Sequence, residues 1–215
     1  DHMPVKPPRQ PYSSRVREAA ADETRCRIVA AARTLLAGGE GLPAFSVDGV
    51  ARQAGVTRLT VYNQFDSRCG LLEAVFDDLA RQGGMCELPA IFAERDPARA
   101  LRSFVHVFCR YWAHYGVVIS RYAAVARMDE DVACSLKRRT EQRRVALSEL
   151  VERVVTVPCP QAAAELVDVL FALTSLEMYE ALSVSGRGAE AVERLIQGLV
   201  EQALHAVSVK LAASA

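Results

Sequence analysis

The sequence predicts an all-α protein in which a small N-terminal domain of three short helices precedes a larger helical domain. Three observations carry that expectation. Apolar residues recur at three- and four-residue spacing along most of the chain, and no segment shows the alternation of a half-buried strand. Glycine, proline and capping residues punctuate these stretches at intervals suited to helices. The 215 residues are 51% apolar and 24% charged, the balance of an ordinary globular chain. That length buries a core without disulfide or metal support.

Taken in order, Asp1 and His2 before Met3 read as the remnant of an expression tag. Pro4, Pro7, Pro8 and Pro11 then make residues 1–22 a disordered arm. A first helix is expected from about Thr24, burying Ile28, Ala32, Leu35 and Leu36 and stopping at Gly38 and Gly39. After a loop at Gly41, Leu42 and Pro43, Ser46 caps a short second helix with Val47, Val50, Ala51 and Ala54 on one face. Gly55 follows where a tight turn needs positive φ. Thr57 caps a third helix to about Gln64 with Val61 inward, and Ser67 caps a fourth bearing Leu71, Leu72, Val75, Phe76 and Leu79.

The pair of short helices around Ala54, Gly55, Val56 and Thr57 has helix-turn-helix spacing. From Phe45 to Leu72 the segment resembles the signature of the TetR family of transcriptional regulators. The matching features are the aliphatic-alanine pair Val50 and Ala51, the run Ala54 to Thr57, Tyr62 with Phe65, and Ser67 followed by Leu71 and Leu72. The likeness extends from about Thr24 to Phe76. There are three departures: Arg68 replaces a usual lysine, Asn63 and Gln64 stand where an aromatic or basic residue and histidine are common, and Gly49 interrupts the second helix. Such a glycine costs about 1 kcal/mol relative to alanine. These departures bear on the operator sequence rather than the fold.

The resemblance implies residues 23–70 as the DNA-binding domain and residues 71–215 as a helical domain for ligand sensing and dimerisation. Its third helix would enter the major groove of a palindromic operator. Arg58 suits guanine, whose O6 and N7 a guanidinium bonds together, and Leu59 and the Thr60 methyl suit thymine methyls. Tyr62, Ser46, Thr24 and Arg68 suit phosphates, which fix register. Val47, Thr57 and Asn63 complete the expected DNA-facing set, although Tyr62 and Phe65 equally suit a core. Net charge is zero, yet from Pro4 to Leu72 ten basic residues face six acidic ones, so positive charge is concentrated where DNA would lie.

In the larger domain, helices are expected from Asp96 to Tyr115 with Gly116 as a break, from Val117 to Met128, and from Asp129 to Val155. Pro158, Cys159 and Pro160 end that third helix. Two more run from Gln161 to Val184 and from Ala189 to Val209, divided by residues 185–188. The last two helices carry Leu170, Leu173, Val192, Leu195, Ile196, Leu199, Val200 and Ala203, and the resemblance assigns these to a homodimer interface. It also implies a sensing pocket lined by Phe104, Phe108, Tyr111, Trp112, Tyr115, Tyr122, Met128, Phe171, Glu177 and Met178. These residues equally make an ordinary core; a pocket of this kind suits an apolar or aromatic ligand, with Glu177 as a polar tip.

Other chemistry finds little support. His106, Cys109 and His114 lack a third and fourth metal ligand at suitable spacing. There is no phosphate-cradling glycine loop and no nucleophile elbow, so neither enzyme nor cofactor is expected. The basic run from Lys137 to Arg144 reads as a solvated helix face. The six cysteines form no C-x-x-C pair and read as reduced thiols of a cytoplasmic protein, with redox sensing at Cys69 a minor alternative. No apolar run reaches membrane-spanning length. The expected function is a dimeric repressor released from double-stranded operator DNA by a small effector, which shifts a population through the fourth helix. The rivals are a ligand-independent regulator or activator with a filled core, and a helical ligand-binding protein or enzyme with a degenerate DNA-binding head.

Overall fold

The computed structural model describes residues 12–38, 45–155 and 160–213, and its regular elements there are all helical. They are α1 (Tyr12–Ala37), α2 (Val47–Ala54), α3 (Arg58–Phe65), α4 (Arg68–Gln82), α5 (Leu88–Ala93), α6 (Pro97–Ala126), α7 (Glu130–Val154), α8 (Pro160–Leu173), α9 (Leu176–Ser183) and α10 (Ala189–Ala213), with a 3-10 turn at Met85–Glu87. The chain forms two compact units, Asp1–Leu71 and Leu72–Ala215, divided inside α4. Among the described residues no helix is long and apolar enough to cross a membrane.

In the first unit, α1 begins at Tyr12 rather than near Thr24, so residues 12–22 are helical and not a disordered arm. Residues 16–23 are all exposed, so this extension shows no buried stripe; the alanines at 19–21 support it by intrinsic propensity. Further along, Ile28, Ala32 and Leu36 are buried, as are Val50, Ala51 and Ala54 of α2 and Val61 and Phe65 of α3. The α2 helix packs on both α1 and α3. The tag remnant, the prolines and the loop at Gly41 to Pro43 lie outside the described residues.

The core of the second unit joins Phe104, Val105, Val107 and Phe108 of α6 to Leu147 and Leu150 of α7, Leu166 and Leu170 of α8, and Val192, Ile196 and Val200 of α10. Two boundaries differ from the sequence reading. Gly116 does not break a helix: α6 runs through it, and a Cβ there would stand 3.0 Å from Leu176 Cδ1. The glycine serves close approach of α9 to α6, not a turn. Conversely, the stretch expected as one helix from Gln161 to Val184 is two. It breaks at Thr174 and Ser175, where the Ser175 hydroxyl accepts from Met178 N and caps α9. The end of α7 expected at Pro158 and Cys159 lies outside the described residues, although Val155 already leaves the helix.

Candidate functional site

The helix-turn-helix is assembled by local chemistry. Ser46 Oγ accepts from Gly49 N at 3.0 Å and starts α2. Gly55 then reverses the chain at φ 67°, a left-handed conformation that glycine takes without Cβ strain, while Val56 N donates to Ala51 O at 3.0 Å. Thr57 Oγ1 accepts from Thr60 N at 3.1 Å and starts α3. Val61 and Phe65 turn inward, which leaves Arg58, Leu59 and Asn63 on the exposed face of α3 and Thr60 and Tyr62 half-buried beside it. Leu59 is 68% exposed, an apolar side chain that no intrachain packing explains.

Arg58 is organised before anything binds. Its Nη1 lies 3.0 Å from Asp48 Oδ2, Nη2 donates to the Tyr62 hydroxyl at 3.4 Å, and the guanidinium sits 5.5 Å from the Tyr62 ring centroid. The Tyr62 hydroxyl and the Asp48 carboxylate together hold its pKa above the ordinary arginine value. Arg68 opens α4 with its guanidinium 5.7 Å from the Phe45 ring, and Ser67 Oγ accepts from Gly70 N at 2.9 Å. Sequence reasoning missed Arg25, which lies 4.3 Å over the Phe65 ring and donates to Gln64 O, tying α1 to the end of α3.

Two expected DNA-facing residues need correction. Val47 is only 7% exposed, because the first residue of α2 already belongs to its buried stripe. Thr24 lies within α1 instead of at its start, and its hydroxyl donates to Ala20 O at 2.8 Å.

The second unit contains a cavity of about 320 Å³. Five of the ten expected lining residues are there: Phe104, Phe108, Tyr111, Trp112 and Glu177. The other five are not. Tyr122 fills the core against Phe76, with ring centroids 5.6 Å apart, while Tyr115 lies beside Tyr111 and reaches Gln82 with its hydroxyl. Met128 is 82% exposed beyond the end of α6. Phe171 carries the Arg143 and Arg144 guanidinium groups, each 4.1 Å from its ring, and Met178 packs on the core.

The polar wall of the cavity comes from α7, in the run expected to be solvated. Arg139, Thr140, Gln142 and Arg143 line it. Arg143 Nη1 donates to Phe171 O and to Thr174 Oγ1, both at 3.0 Å, and burial brings its pKa down to about 10, so it remains charged near neutrality. Its acceptors exist because α8 ends at Leu173: the last turn of a helix leaves carbonyls without partners. Trp112 Nε1 uses the same break, donating to Thr174 O at 2.9 Å. The available signal was spacing, since residues 136, 139, 143, 147 and 150 share one face and Leu147 and Leu150 are core.

The expected dimer face also divides. Leu170, Leu173, Val192, Ile196 and Val200 are buried within the chain, because α8 packs on α7 and α10, and α10 packs on α6. Ala203 is half-buried against the same core, whereas Leu195 and Leu199 are exposed. Among the described residues no three metal-ligating side chains gather, and His106 Nδ1 instead lies 2.8 Å from Glu193 Oε1. Cys109 is buried, with its thiol pKa raised to about 12 by desolvation.

The chain thus combines a helix-turn-helix unit with a helical unit that holds a cavity. Residues 28–75 match the family model for bacterial regulatory proteins of the tetR family, so the chain carries that family's N-terminal domain. Its fold is the fold of TetR-family transcriptional regulators. A transcriptional regulator from Rhodococcus sp. Rha1 matches at 21% identity over 85% of this chain and 96% of that one, with a TM-score of 0.65. A TetR-like transcriptional regulator from Rhodococcus sp. RHA1 matches at 15% identity, 85% and 96% coverage and a TM-score of 0.60. A tetR-family transcriptional regulator from Streptomyces coelicolor matches at 18% identity, 90% and 84% coverage and a TM-score of 0.58. Likeness at these identities is likeness of fold. No curated protein matches the chain in sequence.

Proposed function

We propose that this protein is a homodimeric repressor that binds a palindromic operator through α3 and is released by a small ligand held in the second unit. The observation that carries the reading is α3 itself. Two side-chain caps and a left-handed glycine fix it, while it presents a pre-positioned arginine, an exposed leucine and an asparagine outward. In a major groove, Arg58 reads guanine and Leu59 and Thr60 meet thymine methyls, while Ser46, Thr57, Tyr62, Asn63 and Arg68 lie at the edge of that surface or beside the phosphates. The open cavity supports a ligand-responsive regulator over one with a filled core.

Dimerisation follows from what packing leaves exposed. Val169 of α8 and Leu195 and Leu199 of α10 are large apolar side chains turned to solvent on two helices that pack together. A second copy covers them and sets two reading helices on a two-fold site. Ligand binding favours one of two states of the dimer and so weakens the operator complex, with α4 the covalent route from one unit to the other.

The test is selection of bound genomic fragments with the purified chain, followed by affinity measurement across salt concentrations and sedimentation of the free protein. A palindromic fragment bound by a dimer is expected. Arg58→Ala should lose roughly ten- to hundred-fold in affinity for it, the worth of one bidentate base contact. Failure to enrich any sequence at low salt sinks the reading.

A further inference from the structure

We propose that the cavity of the second unit takes an amphipathic anion, an apolar body with a carboxylate-type head, and that Arg143 holds the head; this rests on the ligand-sensing reading above. The argument begins with the arginines of α7. Arg138 pairs with Glu73 at 2.6 Å, Arg139 with Asp77 at 2.7 Å, and Arg144 with Asp168. Arg143 is half-buried like Arg139 and Arg144, yet among the described residues no carboxylate lies within ion-pair distance of it. Its two hydrogen bonds go to neutral acceptors, Phe171 O and Thr174 Oγ1, and both use Nη1. The donors on Nε and Nη2 form no hydrogen bond among the described residues, in a side chain that lines the cavity.

A part-buried guanidinium with donors left over, and with Glu177 acting on it only from beyond ion-pair distance, gains when an anion arrives with acceptor oxygens of its own. Arginine suits a carboxylate head in particular, because two adjacent N–H groups match two oxygens. Its position is fixed before binding. The Phe171 ring stacks 4.1 Å beneath it, and Thr174, which donates to Leu170 O at 2.8 Å, keeps its hydroxyl oxygen turned toward Nη1. Away from Arg139, Thr140, Gln142 and Glu177 the wall is apolar or aromatic, with Phe104, Phe108, Trp112 and Leu176 offering surface to a hydrocarbon body. The volume, about 320 Å³, lies at the small end of ligand cavities, room for a medium acyl chain or a small aromatic body.

Glu177 also lines the cavity and is the one feature that suits a cation. It is exposed and stands beyond ion-pair distance of Arg143, attracting that guanidinium only across the site. The half-buried guanidinium with donors to spare, not the exposed carboxylate, decides the sign of the ligand.

Trp112 is the only tryptophan in the chain and lines the cavity, so its fluorescence reports occupancy directly. Octanoate, octanamide and octylammonium share one body and differ in the charge of the head. Titrated into the full-length protein, octanoate is expected to bind at least ten-fold more tightly than either of the others. In Arg143→Gln that preference disappears, and in Arg143→Lys, which keeps the charge, a preference of several-fold remains. Equal binding of octanoate and octanamide overturns the proposal, as does tightest binding of octylammonium, or an octanoate preference that survives Arg143→Gln. The ranking of the three heads on the unsubstituted protein decides the matter even where Arg143→Gln is unstable. The titration involves no DNA. An octanoate preference without any effect on operator binding breaks the ligand-release reading and leaves this one standing, while operator binding without that preference breaks only this one.

Discussion

Arg58 in the first unit and Arg143 in the second carry the same charge in opposite settings. Arg58 is exposed, is answered by the Asp48 carboxylate and the Tyr62 hydroxyl, and exchanges those partners for others at little cost because water attends both states. Arg143 is half-buried, hydrogen-bonds only a carbonyl and a hydroxyl, and has donors left over. On the readings proposed above, the exposed, paired charge suits a surface that meets a large polyanion reversibly, and the half-buried charge with spare donors suits a site for one small group of opposite sign. The same division runs through the glycines. Gly55 is favoured by backbone conformation at φ 67° with open space around its missing Cβ, whereas Gly116 is favoured by space, since a Cβ there would press on the tip of Leu176 at 3.0 Å.

The glycines give the largest expected effect. Gly116→Leu forces a side chain between α6 and α9 and should cost about 1–3 kcal/mol, the range for overpacking a core. Gly55→Ala should cost about 1–2 kcal/mol through the left-handed backbone alone. Urea unfolding followed by circular dichroism checks both. The sharper readout is Trp112 fluorescence at zero denaturant, which should shift in Gly116→Leu and stay unchanged in Gly55→Ala. A Trp112 signal untouched by Gly116→Leu would mean that α9 moves aside freely and that the second unit is less tightly packed than the contrast requires.

A smaller effect is expected where α4 meets α7 within the second unit. Ser135 is buried and donates to Glu73 Oε1 at 2.6 Å, and this bond, then Arg138 and Arg139, lowers the pKa of Glu73. A carboxylate with a depressed folded-state pKa contributes stability above its unfolded value, about 4.3, and loses it as the pH falls through the folded value. Ser135→Ala should therefore cost about 1 kcal/mol at pH 7, allowing for the partial exposure of Glu73. The gap between variant and parent should narrow at pH 3.5. A gap of equal size at both pH values would assign the loss to packing and not to the charged hydrogen bond.

The contrast between the units also explains what the sequence disclosed. The first unit is built from near neighbours: Ser46 with Gly49, Gly55 with Ala51, and Thr57 with Thr60 are each within four residues. Caps and turn glycines of this kind are visible in one dimension. The start of α1 was hidden because residues 16–23 bury nothing, and a periodicity argument finds only helices with a buried face. In the second unit the decisive contacts are distant. Gly116 reads as a break until Leu176 is seen beside it, and Arg143 reads as solvated until Phe171 and Thr174 close over it from 28 and 31 residues away. The break at Thr174 offered a weak local sign in Ser175, a capping residue inside an apolar run. Aromatic residues on α6 could not be sorted into wall and filling by pattern, since Tyr111 and Tyr122 lie on one helix and only the first borders the cavity.

The smallest effect bears most directly on the difference between the two arginines. If Arg58 is an exchangeable charge, its intramolecular partner competes with DNA for it. Asp48→Asn removes that competitor and a negative charge from the reading surface, and should tighten operator binding by about two- to five-fold, the worth of one exposed ion pair. The salt dependence should steepen as well, because Arg58 becomes free to displace a counterion from the duplex. Stability should hardly change, since both side chains are more than half exposed (59% and 56%). Weaker binding in Asp48→Asn, with folding intact, would instead show that the carboxylate aims the guanidinium at its base. Arg58 would then be a positioned group like Arg143, and the distinction drawn between the two units would rest on burial alone.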